Sequence, residues 1–249
     1  MADHPIAFSA PMIEALLAGR KTVTRRMLNP QPEPDFIEAE ISQESLTFRP
    51  AFLFGGPTHQ MLRRLPLPGS RMWVRESYFQ YGHWEPTEGA RTKGGRQKWG
   101  FVADRPDILF DAPAQYRKGM HHADPATSAW HKRLGRFMPR KASRMTLVVT
   151  GVRIERLQAI DHDDARAEGI LRHVVEGGAT LRNLETDEVQ SLTVLKWSGA
   201  ADLPKRGMER RAFQDLWESI NGPDSWKANP FVAAYSFRVE RRNIDEEAR

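Results

Sequence analysis

The sequence predicts an α+β fold in which a mixed or closed β-sheet carries a few helices. Strand patterns lie near the start, in the middle and near the end of the 249-residue chain, and helix patterns separate them without the alternation of a doubly wound fold. The strongest strand pattern, residues 144–157, is interrupted by Gly151, which indicates the bend or bulge that barrels use to close. Because no repeat and no linker divides the chain, we expect one domain, residues 1–249, with long loop insertions at about 30–68, 105–137 and 171–207.

The N-terminal segment predicts a strand, a helix and a basic strand, in that order. Residues 5–8 are apolar, Ser9 is a favourable helix N-cap and Gly19 can end the helix. The next stretch, residues 20–26, contains four cations and two threonines. Lysine and arginine are rarely buried unless they are paired, so we expect a loop followed by a strand that presents charge to an anionic or polar partner.

The middle of the chain predicts two strands. A Pro-Gly turn opens residues 68–79, which are rich in β-branched and aromatic side chains. Strand alternation places Trp73 and Arg75 on one face and Glu76 on the other. A second, shorter strand is predicted at residues 99–104.

The C-terminal half predicts two helices and a final strand. Asp161 and Asp164 have the spacing of a capping box, which opens a short helix that ends at Gly169. Residues 208–220 carry apolar side chains at helical spacing, and residues 231–239 form the last strand pattern.

The composition favours a polyanionic partner but does not establish one. There are 37 lysines and arginines against 32 aspartates and glutamates, which gives a net charge of +5 and a pI near 9.6. A polyanionic partner fits this excess, although arginine-rich globular proteins also reach it without binding nucleic acid. The chain has no cysteine, which excludes disulfides, thiolate nucleophiles and cysteine zinc sites.

The sequence lacks the patterns of exported and membrane proteins. No basic region followed by an apolar core opens the chain, and no run approaches the roughly 20 apolar residues that span a bilayer. We therefore expect a cytoplasmic protein that makes no membrane contact. The oligomeric state is left open.

The basic stretch offers candidate catalytic residues. Lys21 has three arginine neighbours, and a desolvated lysine near other cations has a lowered pKa and can act as a base. Lys21 with Thr24 could then form a base and nucleophile pair, or the cations could hold phosphate. The alternative is a solvated basic face. In a regular strand, residues 21 and 24 point to opposite faces, so pairing them requires a turn or bulge.

Two further features could bind or process a ligand. Glu168 lies at the last turn of the predicted short helix, where the helix dipole opposes a carboxylate. This placement would suit a general acid or base, although such residues are commonly just exposed. Trp73 beside Arg75 could stack a nucleobase.

A metal centre and a cofactor are not expected. His121, His122 and His131 have no carboxylate at helical spacing, which favours surface histidines over metal ligands. No glycine-rich phosphate loop and no nucleophile elbow is present either.

Three motifs together resemble the ASCH family, a branch of the PUA-like superfamily. They are residues 17–26 (LAGRKTVTRR), residues 69–76 (GSRMWVRE) and residues 156–170 (RLQAIDHDDARAEGI). The resemblance is greatest to the longer ASCH-like proteins of phages and prophages, which also share residues 138–144 and the C-terminal segments 217–222 and 226–230. It does not cover the three insertions.

The resemblance implies a PUA-like β-barrel with flanking helices and a cleft suited to RNA or a nucleobase. Small bacterial members are amidohydrolases that remove the acetyl group from N4-acetylcytidine. Their catalytic lysine, threonine and glutamate match Lys21, Thr24 and Glu168 here. Other relatives are ribonucleases or RNA binders.

This chain departs from the small amidohydrolases in two respects. It is more than twice their usual length, so its insertions could cap the cleft for a nucleoside or widen it for a polymer. Its motif ends Thr24-Arg25-Arg26, which is more basic than in those enzymes and favours a ligand that carries phosphate.

The leading hypothesis is therefore hydrolysis of an N4-acylated cytosine nucleoside or nucleotide by Lys21, Thr24 and Glu168. The expected ligand-binding residues are Arg20, Arg25, Arg26, Trp73, Arg75 and Glu76. A non-catalytic RNA- or nucleotide-binding module and a metal-independent ribonuclease are the alternatives. The expected partner is a modified nucleoside, a nucleotide or RNA.

Overall fold

The computed structural model describes residues 3–29, 31–32, 36–41, 46–50, 60–61, 65–120, 124–170, 172–175, 178–182, 189–190 and 208–246. The strands are β1 (Asp3–Ala7), β2 (Val23–Met27), β3 (Phe36–Ile41), β4 (Leu46–Pro50), β5 (Gln60–Met61), β6 (Arg71–Arg75), β7 (Tyr78–Arg91), β8 (Gln97–Leu109), β9 (Ala129–Arg133), β10 (Thr146–Arg156), β11 (Arg172–Val175), β12 (Gly178–Arg182), β13 (Val189–Gln190) and β14 (Phe231–Glu240). The α-helices are α1 (Ala10–Leu17), α2 (His162–Ala167) and α3 (Met208–Asn221). The fold is thus mixed α+β and mostly sheet.

A five-stranded mixed sheet forms the centre of the described structure. Its order is β1-β6-β10-β14-β2, with β1 and β6 parallel and the other pairs antiparallel. The pairing of β10 with β14 shifts register between Val149 and Gly151, which confirms the predicted irregularity at that glycine. Both faces of the first half of β14 are buried, since residues from Phe231 to Tyr235 are all nearly inaccessible.

The two edge strands of this sheet approach each other, although no pairing between them is seen in the described residues. Arg26 of β2 donates a hydrogen bond of 2.7 Å from Nη2 to the carbonyl oxygen of Ala7 in β1. Neighbouring strands lie about 4.8 Å apart, so the edges of a flat five-stranded sheet would be about 19 Å apart, beyond the reach of one arginine. The sheet is therefore strongly curved, while its backbone ladder stays open between β1 and β2 in the described residues.

Helices cover the curved sheet and bury its apolar side chains. Helix α1 buries Met12, Ile13, Ala15 and Leu16, and it begins after Ser9 as predicted. The Ser9 hydroxyl, however, makes no capping hydrogen bond. Helix α2 does use its predicted cap, because the Asp161 carboxylate accepts a 2.7 Å hydrogen bond from the backbone N–H of Asp164.

The expectation of loop at 105–137 is wrong at residues 105–109 and 129–133, which are strand. β8 extends to Leu109 and pairs with β7, which also pairs with β9 at residues 129–133. The resulting three-stranded sheet, β8-β7-β9, forms no strand pairs with the central sheet in the described residues. The predicted strand at 68–79 is also divided, since β6 ends at Arg75 and β7 begins at Tyr78.

The other two insertions also contain strands where loop was expected. Residues 36–61 include the sheet β3-β4-β5, and residues 172–190 include the sheet β11-β12-β13. The remainder of the 171–207 insertion lies outside the described residues, whereas residues 31–32 and 65–68 of the 30–68 insertion are described and form neither helix nor strand.

The C-terminal predictions hold with small changes. α3 and β14 occupy the predicted positions, but Ile220, expected on the apolar face of α3, is 45% exposed. None of the described helices combines the length and the apolar character needed to cross a membrane.

Candidate active site

A turn after α1 places Lys21 at the centre of the candidate site. Gly19 has a φ of +70°, which glycine adopts without steric cost. The backbone N–H groups of Arg20 and Lys21 then both donate to the Ala15 carbonyl, at 2.9 and 3.1 Å. Lys21 therefore precedes β2, so strand alternation does not fix its direction, and its side chain is fully buried.

The end of α2 brings Glu168 against Lys21. The Thr22 backbone N–H donates to the Ala167 carbonyl at 2.9 Å, which ties the two segments together. Gly169 follows with a φ of +95°, and a Cβ at this position would lie 3.1 Å from the Ala15 Cβ and 3.3 Å from the Lys21 Cβ. A glycine is therefore required here by both backbone conformation and close packing.

Lys21 and Glu168 form a buried ion pair across 147 residues of sequence. Lys21 Nζ donates to Glu168 Oε2 at 2.7 Å and to the Glu168 carbonyl oxygen at 2.8 Å. Burial lowers the pKa of Lys21, because desolvation of the ammonium outweighs the attraction of the Glu168 carboxylate. The pair thus combines a lysine of reduced basicity with a carboxylate in direct contact.

Arg25 is also buried, and it contacts three carboxylates. Its Nη2 lies 2.7 Å from Glu155 Oε1 and also donates to Asp164, and its Nη1 donates to Glu168 Oε1 at 3.3 Å. Burial disfavours the charged guanidinium, but the combined attraction of the carboxylates is larger and raises the pKa of Arg25. The expectation that this stretch presents its charge outward is therefore wrong for Lys21 and Arg25, whose partners belong to the chain itself.

Thr24 and Arg26 share the other face of β2. They are two residues apart in the strand, and Tyr235 of β14 lies directly opposite Thr24. Burial lowers the pKa of Arg26, while attraction from Glu168 and Tyr235 opposes that shift. Within the described part of the chain, Arg26 has no carboxylate partner and Thr24 forms no hydrogen bond to Lys21.

The ring of Phe8 lies beside two cations of the site, Lys21 and Arg26. Lys21 Nζ lies 5.7 Å from the ring centroid, and the Arg26 guanidinium lies 5.1 Å from it. Both distances are within the range of cation–π attraction. Phe8 therefore forms an apolar wall beside Lys21 and Arg26.

Three of the remaining predicted ligand-binding residues lie on or just after β6 rather than on β2. Trp73 and Arg75 are on β6, with the Arg75 guanidinium 5.4 Å from the Trp73 ring centroid. Glu76 is buried and accepts two hydrogen bonds of 2.9 Å from Arg144. Arg20 is exposed at the end of the α1 turn.

Sequence reasoning did not connect four further residues with this site. Glu155 and Asp164 neutralise Arg25, and Phe8 and Tyr235 line the other face. The burial of a cation from the 20–26 stretch would have required such partners, but nothing in the local sequence says which carboxylates supply them.

The expectation of surface histidines is wrong for His131. His131 is buried, and its ring lies 5.4 Å from that of Phe101 and 6.1 Å from that of Trp84. His121 and His122 lie outside the described residues. Among the residues that are described, no group of three histidine or carboxylate side chains is arranged to hold a metal ion.

The arrangement can move a proton between the buried amine of Lys21 and the buried carboxylate of Glu168. Thr24 lies on the face of β2 that also carries Arg26, a cation without a carboxylate partner among the described residues. Comparison of the chain with family models, curated proteins and solved structures finds no match. Function is therefore inferred from these residues.

Proposed function

We propose that this protein is an amidohydrolase that removes the acyl group from an N4-acylated cytosine nucleoside or nucleotide. The observation that carries the proposal is the buried contact of 2.7 Å between Lys21 Nζ and Glu168 Oε2. We propose in addition that the chain belongs to the ASCH family and that its central sheet is part of a PUA-like barrel. The strong curvature of that sheet is compatible with such a barrel.

The ion pair can supply a base and an acid at once. Transfer of one proton from Lys21 to Glu168 leaves a neutral amine and a protonated carboxyl, with no change in net charge. The lowered pKa of Lys21 favours this transfer. Amide hydrolysis needs both groups, because the nucleophile must lose a proton and the leaving amine must gain one.

In the proposed reaction, Lys21 takes the proton of the Thr24 hydroxyl as Oγ1 attacks the acyl carbonyl carbon. Glu168 gives its proton to N4 as the C–N4 bond breaks, which releases cytidine and leaves an acyl ester on Thr24. Water then hydrolyses the ester and restores the threonine. The step requires Thr24 to come within hydrogen-bond distance of Lys21 when substrate is bound, as catalytic contacts often do only in the complex.

Arg26 is the cation best suited to hold the oxyanion or a substrate phosphate. Arg25 is already neutralised by three carboxylates, whereas Arg26 donates only to the Ala7 carbonyl among the described residues. Charge-assisted hydrogen bonds to an oxyanion are stronger than neutral ones.

Chromatographic turnover of N4-acetylcytidine by wild type, Thr24→Ala and Thr22→Ala tests the proposal. Thr22 is the matched control, because it is exposed and lies two residues away in the same stretch. We expect loss of the acetyl group with wild type and Thr22→Ala and none with Thr24→Ala. Full turnover by a folded Thr24→Ala variant would refute the mechanism, and an inactive wild type would make nucleotide or RNA binding without catalysis the leading function.

A further inference from the structure

Three arginines on one part of the surface have no carboxylate partner among the described residues. They are Arg75 at the end of β6 and Arg133 and Arg136 around the turn that follows β9. The Nε atoms of Arg75 and Arg133 are buried and have no hydrogen-bond partner within the described chain. By contrast, Arg140 and Arg144 close by in the sequence pair with carboxylates at 2.5–2.9 Å.

Each of the three arginines lies against aromatic rings. The Arg133 guanidinium is 4.1 Å from the ring centroid of Phe101 and 5.2 Å from that of Trp84. Phe137 lies close to two cations, since its ring centroid is 5.1 Å from the Arg133 guanidinium and 4.9 Å from that of Arg136. We call this set the arginine–aromatic strip; it consists of Trp73, Arg75, Trp84, Phe101, Arg133, Arg136 and Phe137.

The turn that carries Phe137 is firmly attached to the fold although its side chains face outward. The Tyr78 hydroxyl donates to the Phe137 carbonyl at 3.0 Å, and a Cβ on Gly135 would lie 3.0 Å from the Glu76 backbone. Phe137 is nevertheless 52% exposed, and neighbouring Leu134 is 51% exposed. The fold thus presents an aromatic ring and its flanking cations in a fixed position.

The strip connects to the candidate active site through Arg75 and Phe8. The Arg75 guanidinium reaches the Arg136 carbonyl at 3.4 Å, and the Arg75 carbonyl accepts from the Phe8 backbone N–H at 3.0 Å. Phe8 is the residue whose ring contacts Lys21 and Arg26.

We propose that the arginine–aromatic strip binds single-stranded RNA. Arginines without carboxylate partners attract backbone phosphates, and exposed rings offer stacking platforms for unpaired bases. A duplex stacks its own bases and would leave Phe137 unused. The choice of RNA over DNA rests on the proposed function, because a cytidine derivative is a ribonucleoside.

Fluorescence anisotropy of a labelled 12-nucleotide RNA tests the strip with two variants, Arg136→Ala and Phe137→Ala. We expect Phe137→Ala to weaken binding about five- to 150-fold, the range for loss of one stacked base. Arg136→Ala should weaken binding and reduce the slope of log affinity against log salt by about 0.7. Both positions are exposed, and circular dichroism checks that the variants fold.

The matched controls come from α3. Arg211→Ala removes the same charge from an arginine paired with Asp215, and Ile220→Ala removes an exposed apolar side chain. Neither should change RNA affinity by more than twofold. The proposal is overturned if the wild type does not bind the RNA or if the controls weaken binding as much as the strip variants. It is also overturned if duplex RNA or the matching DNA strand binds more tightly.

Hydrolysis of free N4-acetylcytidine, measured on the same samples, separates the two proposals. RNA binding without hydrolysis would count against the proposed function and leave the strip intact. Hydrolysis with no RNA binding would overturn the proposed role of the strip and leave the proposed function intact.

Discussion

Replacing Lys21 and replacing Glu168 should lower the stability of the protein by different amounts, because the charge that is left behind has different partners in the two variants. In Lys21→Met the Glu168 carboxylate loses its partner at 2.7 Å but keeps Arg25 Nη1 at 3.3 Å. In Glu168→Gln the ammonium loses the only carboxylate that it contacts among the described residues, whereas Arg25 keeps Glu155 and Asp164. The second change should therefore cost more.

The expected losses in free energy of unfolding follow from the burial of the ion pair and from the cost of removing the proton of Lys21. Breaking a buried ion pair by removing one partner costs about 3–5 kcal/mol. Since Arg25 compensates Glu168, we expect Lys21→Met to cost about 3 kcal/mol in free energy of unfolding. The cost of Glu168→Gln has an upper bound, because Lys21 can lose its proton instead. From the reference pKa of 10.5, this release costs about 5 kcal/mol at pH 7.

Urea unfolding at pH 7, followed by the fluorescence of the seven tryptophans, measures these costs. The double variant should be more stable than the sum of the single losses predicts, with a coupling of at least about 2 kcal/mol, because no unpaired charge remains. Lys227→Met, at an exposed position, should stay within about 0.5 kcal/mol of wild type. A larger cost for Lys21→Met than for Glu168→Gln, or simple additivity, would refute the reasoning.

Two other predictions concern the same region. Gly169→Ala should lose about 2 kcal/mol and lower the Tm by about 4–8 °C, because φ is +95° and the new Cβ would press on Lys21; an unchanged thermal melt would contradict the packing described. Burial raises the pKa of Tyr235 above its usual 10.0, so above pH 10 the unfolded chain loses a proton that the native state keeps, and stability falls as pH rises. Tyr235→Phe should therefore lose less stability than wild type between pH 8 and pH 11 in urea titrations, and an equal loss in both proteins would count against a buried phenol.

Local chemistry explains which parts of the fold could be predicted from sequence. The Asp161 cap and the irregularity at Gly151 depend on neighbouring residues, and both occur as expected. β8 was predicted only in part, because most of its residues are exposed and an exposed strand lacks the apolar alternation that reveals a half-buried one. The polar surface of β8 thus resembles a loop in sequence.

Some residues of the candidate site could be singled out from the sequence, but their contacts could not. Lys21 and Thr24 stand out because a cluster of cations and hydroxyls is unusual beside an apolar helix. The pairing of Lys21 with Glu168 spans 147 residues, and no local pattern encodes it. The burial of Arg25 required knowing that β10 and α2 deliver three carboxylates to one point.

Because β14 comes late in the sequence, β2 can pair with it only late in synthesis. β2, which follows Lys21 and carries Thr24 and Arg26, pairs with β14 and with no other described strand of the central sheet. Roughly 200 residues separate these two strands in sequence, and translation at about 5–20 residues per second takes about 10–40 s to cover them. The basic N-terminal stretch must therefore wait, without its partner strand, until residues 231–240 leave the ribosome. A nascent chain that ends before Phe231 contains Lys21, Thr24 and Glu168 but lacks the strand that holds β2 in place.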